Sequence, residues 1–151
     1  MKHLLLIYHS QSGRNESLVE HIYRGANHVC EVTTSLLRCV DVELHHMQHA
    51  DAVVFVGSEN FGLPNAGLLD TLARQFYSAE QSLAGKPFAI VMSTGNGGDG
   101  ALRHLRALLG AMGMRECLDS TIFHGALYPE HKRQCEELGE ALASAIAMGI
   151  Y

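Results

Sequence analysis

The chain has 151 residues, 47% of them hydrophobic, so its length and composition predict one globular domain with a buried core. Eleven basic and sixteen acidic side chains give a net charge of −5 without a run of like charge, which argues against nucleic-acid binding. The four cysteines form no C-x-x-C pair, and the N-terminal apolar run is too short for a signal sequence or a membrane span. We therefore expect a cytoplasmic protein with reduced thiols and no membrane partner.

Short apolar runs predict the strands of a parallel sheet. Continuous apolar segments are typical of strands that helices cover on both faces. Residues 4–8, 52–56 and 88–92 are such segments. A more alternating run at 30–37 predicts an outer strand, and residues 117–123 predict a fifth strand.

Apolar residues at helical spacing separate these strands. The four clear stripes and one weaker helix lie at 18–26, 68–76, 102–112, 135–146 and 41–49. Strands alternate with helices throughout, without a linker or a repeat. The sequence therefore predicts a single α/β domain, residues 1–151, built on an open sheet wound in both directions.

Polar or glycine-rich stretches follow the first, third and fourth predicted strands, at residues 9–15, 58–67 and 93–100. In a doubly wound sheet, ligands bind outside the carboxyl ends of the strands, where the winding direction reverses. We therefore expect the three stretches to converge on one crevice.

The stretch after the first strand has the composition of an anion-binding loop. The backbone amides of residues 11–15 lie at a predicted helix N-terminus, which favours a phosphate. Hydroxyl groups of Ser10 and Ser12 add donors, Gly13 allows a tight turn, and Asn15 carries a side-chain amide.

Simpler interpretations of this loop remain open from sequence alone. Ser12 or Asn15 could cap the helix that follows, because both residue types are favoured at that position. Arg14 could be a solvated charge on the first turn. The concentration of donors at a strand end favours the anion site.

Three segments resemble the flavodoxin family. "HSQSGRN" resembles its phosphate loop, "GSENFGLPNAGLLDTL" its flavin-contacting loop and following helix, and "GKPFAIVMSTGNGGDG" its fourth strand and loop. The resemblance spans essentially the whole chain in order. It implies a five-stranded parallel sheet in the order 2-1-3-4-5, with helices on both faces and FMN between strands one and three.

The resemblance also implies three groups of FMN-binding residues. The phosphate would be held by Ser10, Gln11, Ser12, Gly13, Arg14 and Asn15. The isoalloxazine would be lined by Glu59, Asn60, Phe61 and Gly62, and its pyrimidine side approached by Gly95, Asn96 and Gly97. No side chain is assigned an acid–base role.

Two departures from the family pattern concern side chains near the cofactor. Asn15 stands where the family usually has threonine, and the chain has no tryptophan. An aromatic sandwich around the flavin would therefore be partial, with Phe61 on one face and Tyr128 a candidate for the other. The alternatives are a core phenylalanine and a surface tyrosine.

A competing motif lies in the third loop. Gly95, Gly97 and Gly100 match G-x-G-x-x-G, the fingerprint of dinucleotide-binding sites. Glu116 has nearly the spacing of the acidic partner but falls at the start of its strand instead of the end. We interpret the glycines as sites of close backbone approach to a flavin, with an NAD site or a plain loop as alternatives.

The histidines and cysteines suggest no further chemistry. His45 and His49 have the i, i+4 spacing of metal ligands, with His46 beside them, but no third ligand is evident, so a polar helix face is favoured. The cysteines are interpreted as small buried apolar residues.

The function predicted from the sequence is that of an FMN-dependent NAD(P)H oxidoreductase passing electrons to a quinone or similar acceptor. The alternatives are an electron carrier between partner proteins and a nucleotide-binding protein without redox activity.

Overall fold

The computed structural model describes residues 1–151 as alternating strands and helices. The strands are β1 (Lys2–Tyr8), β2 (Val32–Arg38), β3 (Ala52–Asn60), β4 (Leu63–Pro64), β5 (Pro87–Thr94), β6 (Arg115–Glu116) and β7 (Thr121–His124). The helices are α1 (Arg14–Ala26), α2 (Leu44–His49), α3 (Ala66–Ala79), α4 (Asp99–Ala111) and α5 (Pro129–Ala147). None of them combines the length and the apolar character needed to cross a membrane.

The strand order confirms the predicted flavodoxin-like sheet. Parallel strands lie in the order β2, β1, β3, β5, and both β6 and β7 pair with the far side of β5. The winding direction reverses between β1 and β3, because β2 lies on one side of β1 and β3 on the other. Loops after β1 and β3 therefore diverge to opposite faces and leave a crevice between them.

The predicted fifth strand at 117–123 is wrong in its bounds. Two short strands, β6 and β7, occupy that edge, and residues 117–120 leave the sheet between them. The Arg106 guanidinium donates to the Glu116 carboxylate at 2.9 Å, and the Ser120 hydroxyl donates to the same carboxylate. These hydrogen bonds join the two ends of the segment 117–120, which lies outside the sheet. Cys117 therefore lies outside the strands instead of within one.

Two other boundaries differ from the sequence prediction. β3 continues to Asn60 and turns back into β4, which makes the second loop a β-hairpin. Residues 39–41 form a short 3-10 turn, and α2 begins only at Leu44 because Val42 and Glu43 are extended. The helix predicted at 41–49 is therefore shorter than expected.

The helices cover both faces of the sheet, and each face has its own apolar core. Side chains alternate along β1, so that Leu5 and Ile7 pack towards α2, α3 and α4 while Leu4 and Leu6 pack towards α1 and α5. This double burial explains the continuous apolar runs in the sequence. Helices α1 and α5 pack in direct contact, and α1 brings its N-terminus to the end of β1.

Candidate functional site

The three predicted loops converge on a polar cavity of about 200 Å³ at the carboxyl ends of β1, β3 and β5. The cavity is lined by Ser10, Gln11, Ser12, Arg14, Asn15, Ser58, Glu59, Asn60, Ser93, Thr94 and Gly95. The other five residues assigned to FMN binding, Gly13, Phe61, Gly62, Asn96 and Gly97, belong to the same three loops but do not line the cavity itself.

The loop after β1 presents unpaired backbone donors. Gly13 precedes α1 with φ +88°, a left-handed conformation that favours glycine, and its N–H donates to the Ser10 hydroxyl at 3.0 Å. The N–H groups at positions 11, 12 and 14–16 donate to no group of the protein. No side chain caps α1, so the capping interpretation of Ser12 and Asn15 is wrong.

Asn15 fixes the ends of two strands. Its side chain is only 4% exposed; Nδ2 donates to the His9 carbonyl at 2.9 Å, and Oδ1 accepts from the Ser93 hydroxyl at 2.6 Å. The side-chain amide that the sequence directs towards a phosphate therefore ties the end of β1 to the end of β5. Its backbone N–H remains among the free donors of the loop.

Arg14 carries an unsatisfied donor. One guanidinium nitrogen, Nη2, donates to the Phe123 carbonyl at 3.3 Å, whereas Nε is buried and has no partner. The side chain is half-buried, so it is not the freely solvated charge that the sequence allowed. Leaving a buried donor of a charged group unpaired costs about 1–3 kcal/mol.

The hairpin between β3 and β4 holds an aromatic side chain in solvent. Phe61 has φ +55° and Gly62 has φ +78°, the pair of left-handed residues typical of a two-residue type I′ turn. Phe61 is fully exposed, so the core interpretation of this residue is wrong. The sequence does not predict this hairpin, because a large aromatic residue is rare at a left-handed position.

The third loop contains two left-handed glycines, Gly97 at φ +85° and Gly98 at φ +102°, directly before α4. A Cβ atom on Gly100 would lie 3.4 Å from the Gly62 carbonyl, which places the first turn of α4 against the hairpin. Glu116 pairs with the start of β5, at the opposite end of the sheet from the cavity. The G-x-G-x-x-G match therefore lacks its acidic partner at the site.

Tyr128 and the histidines of α2 are not among the residues that line the cavity. Tyr128 is exposed just before α5, with its ring centre 5.6 Å from that of His131. On α2, the Glu43 N–H donates to His46 Nδ1 at 3.0 Å, and the ring centres of His45 and His49 are 6.1 Å apart.

The thiols differ in burial. Cys39 and Cys135 are buried, and burial raises the pKa of each to about 12. Cys117 is half-buried, and burial raises its pKa to about 11. Cys30 is exposed, so the prediction of buried cysteines is wrong for this residue. None of the four lines the cavity.

Solved structures share this fold at low sequence identity. A flavodoxin from the domain Archaea is 19% identical, with a TM-score of 0.79 over 95% of this chain and 98% of its own. A WrbA-like flavodoxin from Agrobacterium tumefaciens is 18% identical, with a TM-score of 0.78 over 99% of both chains. Rubredoxin oxygen:oxidoreductase from Desulfovibrio gigas is 15% identical, with a TM-score of 0.83 over 99% of this chain but 37% of its own.

The sequence itself matches a family model but no curated protein. The model describes NADPH-dependent FMN reductases and covers residues 43–126, which include the hairpin and the third loop but not the loop after β1. This segment is more than half of the chain. The chain therefore belongs to the NADPH-dependent FMN reductase family, and it is an FMN-binding redox protein with a flavodoxin-like fold.

Proposed function

We propose that residues 1–151 form a single FMN-binding domain that takes hydride from NAD(P)H and passes electrons to a quinone or similar small acceptor. The observation that carries this proposal is the cavity where free backbone donors and the positive charge of Arg14 meet the hairpin and the third loop. Family membership supports the choice of donor and cofactor.

The donors after β1 fit the phosphate of FMN. The N–H groups at positions 11, 12 and 14–16 have no protein acceptor, and the helix dipole of α1 adds partial positive charge at its N-terminus. Arg14, which lines the same cavity, adds a full positive charge. A dianionic phosphate would supply acceptors to the backbone donors and would be attracted by this charge.

The hairpin and the third loop fit the edges of the isoalloxazine. The left-handed backbone at Gly62 and Gly97 carries no side chain, so the main chain can approach a flat ring closely. Glu59 and Asn60 line the cavity between these loops. Bound FMN supplies the redox chemistry, while the protein orients it and surrounds it with fixed dipoles.

The test of the proposed activity is anaerobic mixing of the FMN-loaded protein with NADPH and, separately, with NADH. We expect rapid loss of the visible flavin absorbance with at least one donor, faster than for free FMN at the same concentrations. Reoxidation on adding a quinone under the same conditions would complete the cycle. Loss no faster than in free FMN would contradict the reductase proposal.

One observation favours the electron carrier as a second candidate function. Phe61 is fully exposed and Leu63 is 44% exposed, so the tip of the hairpin offers an apolar contact to a partner protein beside the cavity. Slow reduction by both nicotinamides together with rapid reduction by a partner reductase would support this alternative.

Phe61 should show opposite effects on stability and on cofactor binding. Asparagine tolerates the left-handed backbone better than phenylalanine, so we expect Phe61→Asn to stabilise the fold by about 0.5–1 kcal/mol. If the aromatic ring covers the flavin, the same variant binds FMN and riboflavin more weakly, and by similar factors. Thermal unfolding and fluorescence titration measure the two effects.

The matched control for this variant is Tyr77→Asn. Tyr77 is another largely exposed aromatic side chain, but it lies in α3 and outside the cavity lining. We expect unchanged affinity for both flavins in this control. Unchanged flavin affinity in Phe61→Asn as well would contradict a contact between Phe61 and the ring.

A further inference from the structure

His124, the last residue of β7, holds the third loop from its outer side. Its Nε2 lies 2.7 Å from the Gly97 carbonyl oxygen. Because a carbonyl oxygen only accepts, Nε2 must carry the proton and donate it to this bond. On the same loop, the Thr94 hydroxyl donates to the Asn96 carbonyl at 3.1 Å. Two successive carbonyls of the loop are therefore bound to protein side chains.

This bond sets the direction of the next N–H group. In a planar trans peptide the C=O and N–H groups point in opposite directions, so the Gly98 N–H points away from His124. β7 is the outer neighbour of β5, and β3 lies on its other side. A Cβ atom on Gly97 would lie 3.8 Å from Glu59 Oε1, which places Glu59 of β3 on that inner side of the loop.

The Gly98 N–H donates to no group of the protein. We propose that His124 is a positioning residue that aims this N–H at the bound flavin ring and thereby sets its reduction potential. The inference rests on the proposed function and names one determinant of the redox properties of the same site. No sequence motif marks His124, because its role depends on strand pairing between β5 and β7.

The expected direction of the shift in reduction potential follows from the negative charge that the ring gains on reduction. An N–H dipole held at the ring edge favours the more electron-rich, reduced form. Gly97 and Gly98 have left-handed backbones that glycine alone adopts freely, so the peptide between them can reorient once its anchor is lost. A reoriented peptide would turn the Gly97 carbonyl towards the ring and disfavour reduction.

The variant His124→Ala removes the hydrogen bond to the Gly97 carbonyl and so tests its effect. At a fixed potential we expect the ratio of reduced to oxidised bound FMN to fall by about tenfold, which is about 30 mV for a two-electron couple. His124→Gln retains a side-chain N–H donor of similar reach, so its reduction potential should lie close to that of the wild type. His104→Ala, which removes an exposed histidine of α4 that makes no hydrogen bond, should leave the potential unchanged.

Spectroscopic redox titration of FMN bound to each variant gives the readout, independently of turnover. An unshifted potential in His124→Ala, or the same shift in His104→Ala, would overturn this inference while leaving the proposed function intact. A wild-type protein that takes up no FMN would contradict both proposals. If the reduction potential is lowered in His124→Ala and equally lowered in His124→Gln, the donor role of His124 would also be contradicted.

Discussion

Replacing Gly139 of α5 by alanine is expected to destabilise the protein by a net of about 1–2 kcal/mol, because overpacking a close contact costs about 2–3 kcal/mol before the higher helix propensity of alanine is counted. A Cβ atom at this position would lie 2.0 Å from the carbonyl oxygen of Ile22 and 2.9 Å from the backbone nitrogen of Ala26, both on α1. Backbone atoms cannot change rotamer, so the two helices would have to separate. The gain in helix propensity of alanine over glycine, about 1 kcal/mol, offsets only part of the cost.

The contact between α1 and α5 is reciprocal, which strengthens this expectation. A Cβ atom on Gly25 of α1 would lie 1.9 Å from the Glu136 carbonyl of α5. Each helix therefore places a glycine against the backbone of the other. Because α1 also carries Arg14 and Asn15 at its N-terminus, its position on α5 helps to fix the loop after β1.

Thermal unfolding of Gly139→Ala measures this effect, with Gly110→Ala as the matched control. Gly110 lies near the end of α4, and a Cβ atom there would meet nothing within 4 Å. The control should be neutral or more stable by up to about 1 kcal/mol. For a domain of this size, the expected loss in Gly139→Ala lowers the melting temperature by roughly 2–8 °C. Equal melting temperatures of the two variants would contradict the close contact.

Much of the fold could be predicted from sequence because the sheet is buried on both faces. The continuous apolar runs of β1, β3 and β5 predict strands that are buried on both faces. Apolar stripes at helical spacing separate these runs. The edge of the sheet was predicted less well. The excursion at 117–120 depends on Arg106, which lies on α4 and reaches Glu116 only in the folded chain.

The candidate site was predictable as a set of loops but not as a set of contacts. Parallel strands bring their carboxyl ends to one edge, so three polar loops in the sequence predict one crevice. Ser93, which donates to Asn15, lies 78 residues away in the chain, and Gly97, which accepts from His124, lies 27 residues away. Strand register sets such pairs, and no local pattern in the sequence reports them.

Phe61 shows a different reason why the core alternative is wrong. Phenylalanine is usually buried, whereas the observed turn exposes this side chain and requires φ +55° at its position. Local preference and tertiary structure conflict here, and such conflicts concentrate at functional sites because the surrounding structure must stabilise the strained residue. The conflict itself therefore directs attention to the hairpin.

Replacing Arg14 by glutamine is expected to weaken FMN binding by roughly 10- to 150-fold while leaving riboflavin binding nearly unchanged. The factor corresponds to about 1.5–3 kcal/mol, the usual contribution of a hydrogen bond to a charged group. Glutamine keeps a side-chain amide for the contact with the Phe123 carbonyl but lacks the positive charge and the Nε donor. Only the phosphate distinguishes FMN from riboflavin, so the comparison isolates that end of the ligand.

The matched control for Arg14→Gln is Arg24→Gln, which makes the same change of charge at the other end of the same helix. Arg24 is exposed in the last turn of α1, far from the cavity lining. Fluorescence titration of both flavins should show wild-type affinities in this control. The difference between FMN and riboflavin in Arg14→Gln should shrink at high salt, because screening weakens the attraction between the guanidinium and the phosphate in the wild type. An equal loss of affinity for the two flavins in Arg14→Gln would place Arg14 beside the ring. No loss of affinity for either flavin would contradict a contact between Arg14 and the ligand.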